Sequence, residues 1–128
     1  MDSPNLTQFL AQNKEHFVNA NLSELLNHLF ENKNISKAAL AKQSGMSEIY
    51  LHQIFAGRRN PSRNRLICLC YGLEATVEET QQLLRLCNMA QLYPKLKRDA
   101  ILYYGLQHKL GLYEINDRLF DEDEETLF

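Results

Sequence analysis

The stretch from Ser36 to Arg65 constrains this chain more than any other. It reads as two short helices joined at a glycine. Leu40 and Ala41 give the first helix an apolar contact, and Ser36 stands where an N-cap belongs. Gly45 falls where that helix must stop, because so sharp a turn needs a residue that tolerates positive φ. Ser47 then caps a second helix, in which Leu51, Ile54 and Phe55 recur at helical spacing with either Ile49 or Tyr50. Gly57 ends it, and Arg58-Arg59-Asn60-Pro61-Ser62-Arg63 follows. From Asn32 to Arg65 there are seven Lys or Arg and one acid, Glu48, a local charge of about +6.

That charge matters because the whole chain lacks it. The 128 residues carry a formal charge of −2, and Glu114 to Phe128 alone carries about −6. A positive middle and an acidic end exclude a globally basic coat protein. At 45% apolar the chain can fill the core of one domain with an appended subdomain. No apolar run approaches the ~20 residues that span a bilayer. The start, Met-Asp-Ser-Pro-Asn, lacks the parts of a signal peptide. The expectation is a cytoplasmic protein with no membrane contact. Cys68, Cys70 and Cys87 lie in apolar helical stretches and are expected to be buried free thiols. Neither they nor the dispersed His16, His28, His52 and His108 have metal-ligand spacing. With no phosphate-cradling glycine loop, and with the acids clustering in the tail, no catalytic site, metal or cofactor is expected. The chain does not read as an enzyme.

Strand signals are absent, so the expected class is all-α. Residues 1–20, with Leu6, Phe9, Leu10, Phe17 and Val18, read as a short helix that packs on the bundle or as an N-terminal arm that docks onto a partner; packing is favoured because the aromatic residues need burial. Asn21 and Glu24 have capping-box spacing, before a helix that buries Leu22, Leu25, Leu26, Leu29 and Phe30. Asn32-Lys33-Asn34 breaks it. After the two central helices, Pro61 and Ser62 open a fourth, and Thr76-Val77-Glu78-Glu79 caps a fifth. These five make a bundle over 21–88. Residues 89–120 then echo what precedes them: Leu69-Cys70-Tyr71-Gly72-Leu73 matches Leu102-Tyr103-Tyr104-Gly105-Leu106 at an offset of 33. The following helices match at 35, which predicts loops differing by two residues and two stacked helical hairpins. Pro94 separates them on an extended approach. Residues 121–128 form an acidic tail expected to be mobile.

Leu-Ala-x-x-Ser-Gly-Met-Ser at Leu40 to Ser47, and Ile-Phe-Ala-Gly-Arg-Arg-Asn-Pro-Ser at Ile54 to Ser62, resemble the phage-repressor and Cro-like (XRE-type) helix-turn-helix regulators. The likeness covers roughly Leu22 to Leu73. The stretches Leu73 to Leu86 and Leu92 to Ala100 look like a longer firmicute-type subfamily with a C-terminal helical extension. The resemblance implies a five-helix repressor-like bundle whose second motif helix lies in the major groove of DNA. By position it implies Ser47, Glu48, Ile49, Tyr50 and Gln53 as base readers. Glu48 suits the cytosine amino group and Gln53 suits adenine, while Ile49 or Tyr50 suits a thymine methyl. It implies Lys37, Arg58, Arg59, Asn60, Ser62 and Arg63 as phosphate contacts, with Arg65 beside them. Against base reading, Glu48 is favoured at a helix start by the dipole alone.

The function these readings predict is a sequence-specific, DNA-binding transcriptional regulator that reads duplex DNA with the helix Ser47–Ala56. A homodimer is expected, with some of the apolar C-terminal hairpin as its face. The alternative is an adaptor that uses the bundle, the hairpin and the acidic tail to hold a protein partner.

Overall fold

Ser36, Ser47, Ser62 and Thr76 each accept a hydrogen bond from the backbone N–H three residues on, at 3.1, 3.1, 3.2 and 3.0 Å. Each satisfies an amide that a helix start leaves without an intrahelical partner. These four caps open the central helices of a computed structural model that describes residues 6–8 and 18–128, with the backbone alone at 18–20. The helices are α1 (Val18–Glu31), α2 (Lys37–Gln43), α3 (Glu48–Phe55), α4 (Arg63–Gly72), α5 (Val77–Leu86), α6 (Lys97–Gln107) and α7 (Leu112–Asp121). The described residues contain no strand. The fold is a helix-turn-helix bundle followed by two C-terminal helices.

Helix ends are as regular as the starts. α2 closes with Gly45 N–H on Lys42 O and Met46 N–H on Ala41 O, the paired reverse bonds of a Schellman motif. α3 repeats it, with Gly57 on Ile54 O and Arg58 on Gln53 O. Both glycines sit at positive φ, 65° and 75°, where a side chain would be strained. α4, α5, α6 and α7 close in the same way on Glu74, Asn88, Lys109 and Asp123, all at φ between 53° and 58°. No sequence signal marked Glu74, Lys109 or Asp123 for that conformation.

One apolar centre joins the elements. Leu22 and Leu26 of α1 are wholly buried, and α1 packs on α3 and α5. Leu40, Leu51, Ile54, Leu66, Leu69 and Leu83 meet them from the next four helices. The expected capping box at Asn21 and Glu24 is corrected: α1 already runs from Val18, so Asn21 lies inside the helix. An Asn-x-x-Glu spacing fits a helix interior equally well, and the apolar stripe, not the cap, fixes where this helix runs. Leu6–Gln8 is helical and exposed. Phe9, Leu10 and Phe17, expected to pack on the bundle, lie outside the described residues.

The C-terminal echo is real in outline and different in detail. α4 and α6 carry the matching segments, and α5 and α7 follow them. Yet the connections 73–76 and 108–111 are equal in length, so the expected loop difference is corrected. The two extra residues lengthen α6 beyond the shared motif. Gly105 faces α4: a Cβ there would lie 2.3 Å from the Tyr71 hydroxyl, which donates to Leu102 O at 2.7 Å. Pro94 follows a segment pinned by Gln81, whose side-chain amide bonds both Leu92 N–H and Leu92 O, at 2.8 and 2.9 Å.

The expected mobile acidic tail is also corrected. Lys97 Nζ donates to Glu122 O at 2.9 Å, and Arg98 donates to Glu125 O and Thr126 O at 2.7 and 3.3 Å. Leu127 is 4% exposed, and its N–H donates to Asn116 Oδ1 at 2.7 Å. Phe128 lies against Gly45 and edge-on to Tyr113. Backbone carbonyls, not carboxylates, face the cations. The burial of Leu127 and these backbone bonds together hold a segment that its charge count suggested would be free.

Candidate nucleic-acid interface

The position of α3 is over-determined. Its start is capped by Ser47, and its angle to α2 is set by the Gly45 turn. At its other end, Phe55 O accepts from Ser23 Oγ and from Asn27 Nδ2, the latter at 3.1 Å. Helix α1 thus caps the C-terminus of α3 from outside. Leu51, Ile54 and Phe55 face inward, leaving one face of a rigid helix to solvent.

On that face Ile49 is 74% exposed, so of the Ile49–Tyr50 pair Tyr50 is the one that packs on the core. Tyr50 is flanked by two guanidinium groups, Arg59 at 5.1 Å and Arg65 at 5.3 Å from its ring centre. Arg59 Nε also donates to Gln53 Oε1 at 2.8 Å. Glu48 lies 3.9 Å from His52, one turn on. Ser47 is exposed, and its hydroxyl oxygen is used in the cap. Lys37 sits over Phe55 at 5.0 Å and near Phe30 at 6.0 Å, at the edge of a cleft of about 450 Å³. Ile49, His52, Gln53 and Arg58 line the same cleft.

The structure thus brings Glu48, Ile49, Gln53, Lys37, Arg58 and Arg59 to one surface. Asn60 is exposed in the loop beyond, and Ser62 caps α4. Arg63 is turned away. Its guanidinium donates to Ala90 O at 2.9 Å, Gln91 O at 3.3 Å and Asp99 Oδ2 at 3.4 Å, tying α4 to the C-terminal helices. His52 joins the surface although only its lack of metal-ligand pairing stood out in the sequence. Its i, i+4 spacing from Glu48 was the available signal.

Charge on this surface is uncompensated. Among the described residues the ion pairs are His52–Glu48, Arg63–Asp99 and Arg118–Glu114. None involves Lys37, Lys42, Arg58, Arg59 or Arg65. The buried thiols behave oppositely to reactive groups: desolvation pushes Cys68 up to about 11 and Cys70 up to about 12, and raises Cys87 as well. No helix of the described residues is long and apolar enough to cross a membrane.

Two capped helices joined at a positive-φ glycine, with the second packed against α1 and α2 and its other face outward, define a helix-turn-helix unit. In agreement, residues 21–83 match the family model of a helix-turn-helix domain, from within α1 to within α5. Helices α6 and α7 and the terminal strap lie beyond the matched stretch. No curated protein and no solved structure matches the chain.

Proposed function

We propose that the chain is a sequence-specific DNA-binding transcriptional regulator of the XRE type that acts as a homodimer. Helix α3 enters the major groove and presents Glu48, Ile49, His52 and Gln53 to base edges. Arg58, Lys37, Asn60 and the amides at the Ser62-capped start of α4 meet phosphates on either side. The observation that carries this reading is the cluster of cations around α3 with no carboxylate partner. A purely structural surface would be expected to neutralise some of them. Retardation of duplex DNA in a gel, measured over a range of salt, tests it. A regulator binds random duplex at low salt and loses affinity linearly in the logarithm of salt. No retardation at low salt overturns the reading.

An adaptor role is the second reading, favoured by one observation. Of the large apolar side chains that are exposed among the described residues, Tyr93, Leu96, Tyr104, Tyr113, Phe120 and Phe128 all lie beyond the helix-turn-helix domain. An adaptor leaves DNA unretarded and holds a protein through that unit.

A further inference from the structure

Gln53 was expected to take adenine, because a free glutamine amide can accept from the adenine N6 amino group while donating to N7. In the structure that amide is not free. Arg59 Nε lies 2.8 Å from one of its terminal atoms. A guanidinium has only donors, so the atom facing it must be the oxygen, Oε1. The amide plane then carries Nε2 to the opposite side, where no protein acceptor meets it among the described residues. Arg59 is itself held in place, because its guanidinium lies over the Tyr50 ring at 5.1 Å, with Arg65 packed on the same ring. Tyr50 in turn packs on the core. Core, ring, guanidinium and amide form one chain of support ending in a pair of N–H groups on the exposed face of α3.

We propose that Arg59 is a positioning residue that fixes Gln53 as a donor, so that Gln53 reads a base-edge acceptor and selects guanine over adenine. This rests on α3 reading the major groove, as proposed above. Guanine offers two neighbouring acceptors there, O6 and N7, and both N–H bonds of Nε2 can be used on them. Adenine offers N7 beside a donor amino group, which confronts the Nε2 hydrogens. Cytosine offers only its amino donor. Removing the Arg59 donor frees the amide to rotate, and adenine then becomes the better partner. Arg59 thus differs from Arg58, its neighbour in sequence, which is exposed, makes no side-chain hydrogen bond among the described residues and carries charge alone.

Selection of bound duplexes from a random library, run with wild type and three variants, tests the assignment. Gln53→Ala identifies the position that Gln53 reads, because preference there is lost. Wild type is expected to prefer guanine at that position by roughly tenfold over adenine. Arg59→Met, which keeps an unbranched stem over Tyr50 but removes the donor, is expected to bring adenine to parity or above. Arg58→Ala is expected to weaken every sequence alike and leave the guanine preference intact. A thermal melt of each variant confirms that the fold is retained. Adenine preferred by wild type at that position overturns the proposal. So does a guanine preference unchanged in Arg59→Met, or the lack of any position that responds to Gln53→Ala. If wild type retards no duplex at low salt, DNA reading itself falls, which the salt series separates from a failure of this assignment.

Discussion

The Arg63 guanidinium holds Ala90 O, Gln91 O and the buried carboxylate of Asp99 at once, while Arg58 five residues earlier is bare. The same residue type therefore does two jobs, in the loop after α3 and at the first turn of α4. Arg63→Ala leaves Asp99 with only the Tyr93 N–H, at 2.9 Å, in a site that is 9% exposed at the side chain. The expected cost is about 2 kcal/mol, seen as a lower urea midpoint at unchanged m-value. Arg58→Ala should leave stability within about 0.5 kcal/mol and instead lower the salt slope of DNA binding by about one. Equal melting of the two variants would contradict this division. The thiols give a pH prediction at the same scale. Burial raises Cys68 and Cys70 from 9.0 to about 11 and about 12, so the folded state holds their protons longer than the unfolded chain. Their contribution to stability is complete below pH 9 and is lost as pH rises from there towards 12. Urea midpoints at pH 7, 9 and 10 should fall over the last interval, and less steeply in Cys70→Ala.

At the scale of elements, helix ends decide the register of this bundle. Lys109 adopts φ 54° to close α6, a conformation costing a non-glycine residue about 1 kcal/mol. Lys109→Gly is expected to stabilise by roughly 0.5 kcal/mol, since glycine's larger unfolded entropy offsets part of the relief. A drop in melting temperature would show that the Lys109 side chain contributes more than its strain. The contact of α6 with α4 depends on the missing side chain of Gly105. An added Cβ would meet Tyr71 Oη at 2.3 Å and Ile115 Cδ1 at 2.7 Å. Gly105→Ala is expected to cost about 1–3 kcal/mol. Tyr71→Phe should recover part of that loss by removing the nearer atom. Additive losses in the double variant would refute the proposed clash.

Across the whole molecule, the terminal strap returns to the helix-turn-helix turn, with Leu127 buried and Phe128 against Gly45. The extension and the helix-turn-helix unit are therefore expected to unfold together. Leu127→Ala is expected to cost about 2 kcal/mol, the low end for a buried leucine because the site lies near a chain end. One cooperative transition at lower denaturant, by both helical signal and tyrosine environment, is the outcome that fits. A separate early transition of the extension would show the strap to be dispensable to the bundle. The strap also bonds Arg98 and Asn116 rather than Arg58 or Arg59.

What the sequence by itself determined was local. Ser36, Ser47, Ser62 and Thr76 are caps because a hydroxyl beside a free amide needs no distant partner. Gly45 and Gly57 are turns because backbone sterics act within a residue. Leu22, Leu26, Leu51 and Ile54 are core because helical spacing puts them on one face. What only the tertiary structure decided was which of several adequate partners each long polar side chain takes. Arg63 could have met phosphate and meets Asp99; Arg59 could have done the same and meets Gln53 and Tyr50. Leu127 could have hung in solvent and lies in the core. The Arg63 choice turns on Asp99, 36 residues away, and the Arg59 choice on how the turn after α3 folds back over Tyr50 and Gln53, which no helical periodicity encodes; together they separate the cations that hold this fold together from those left free on its surface.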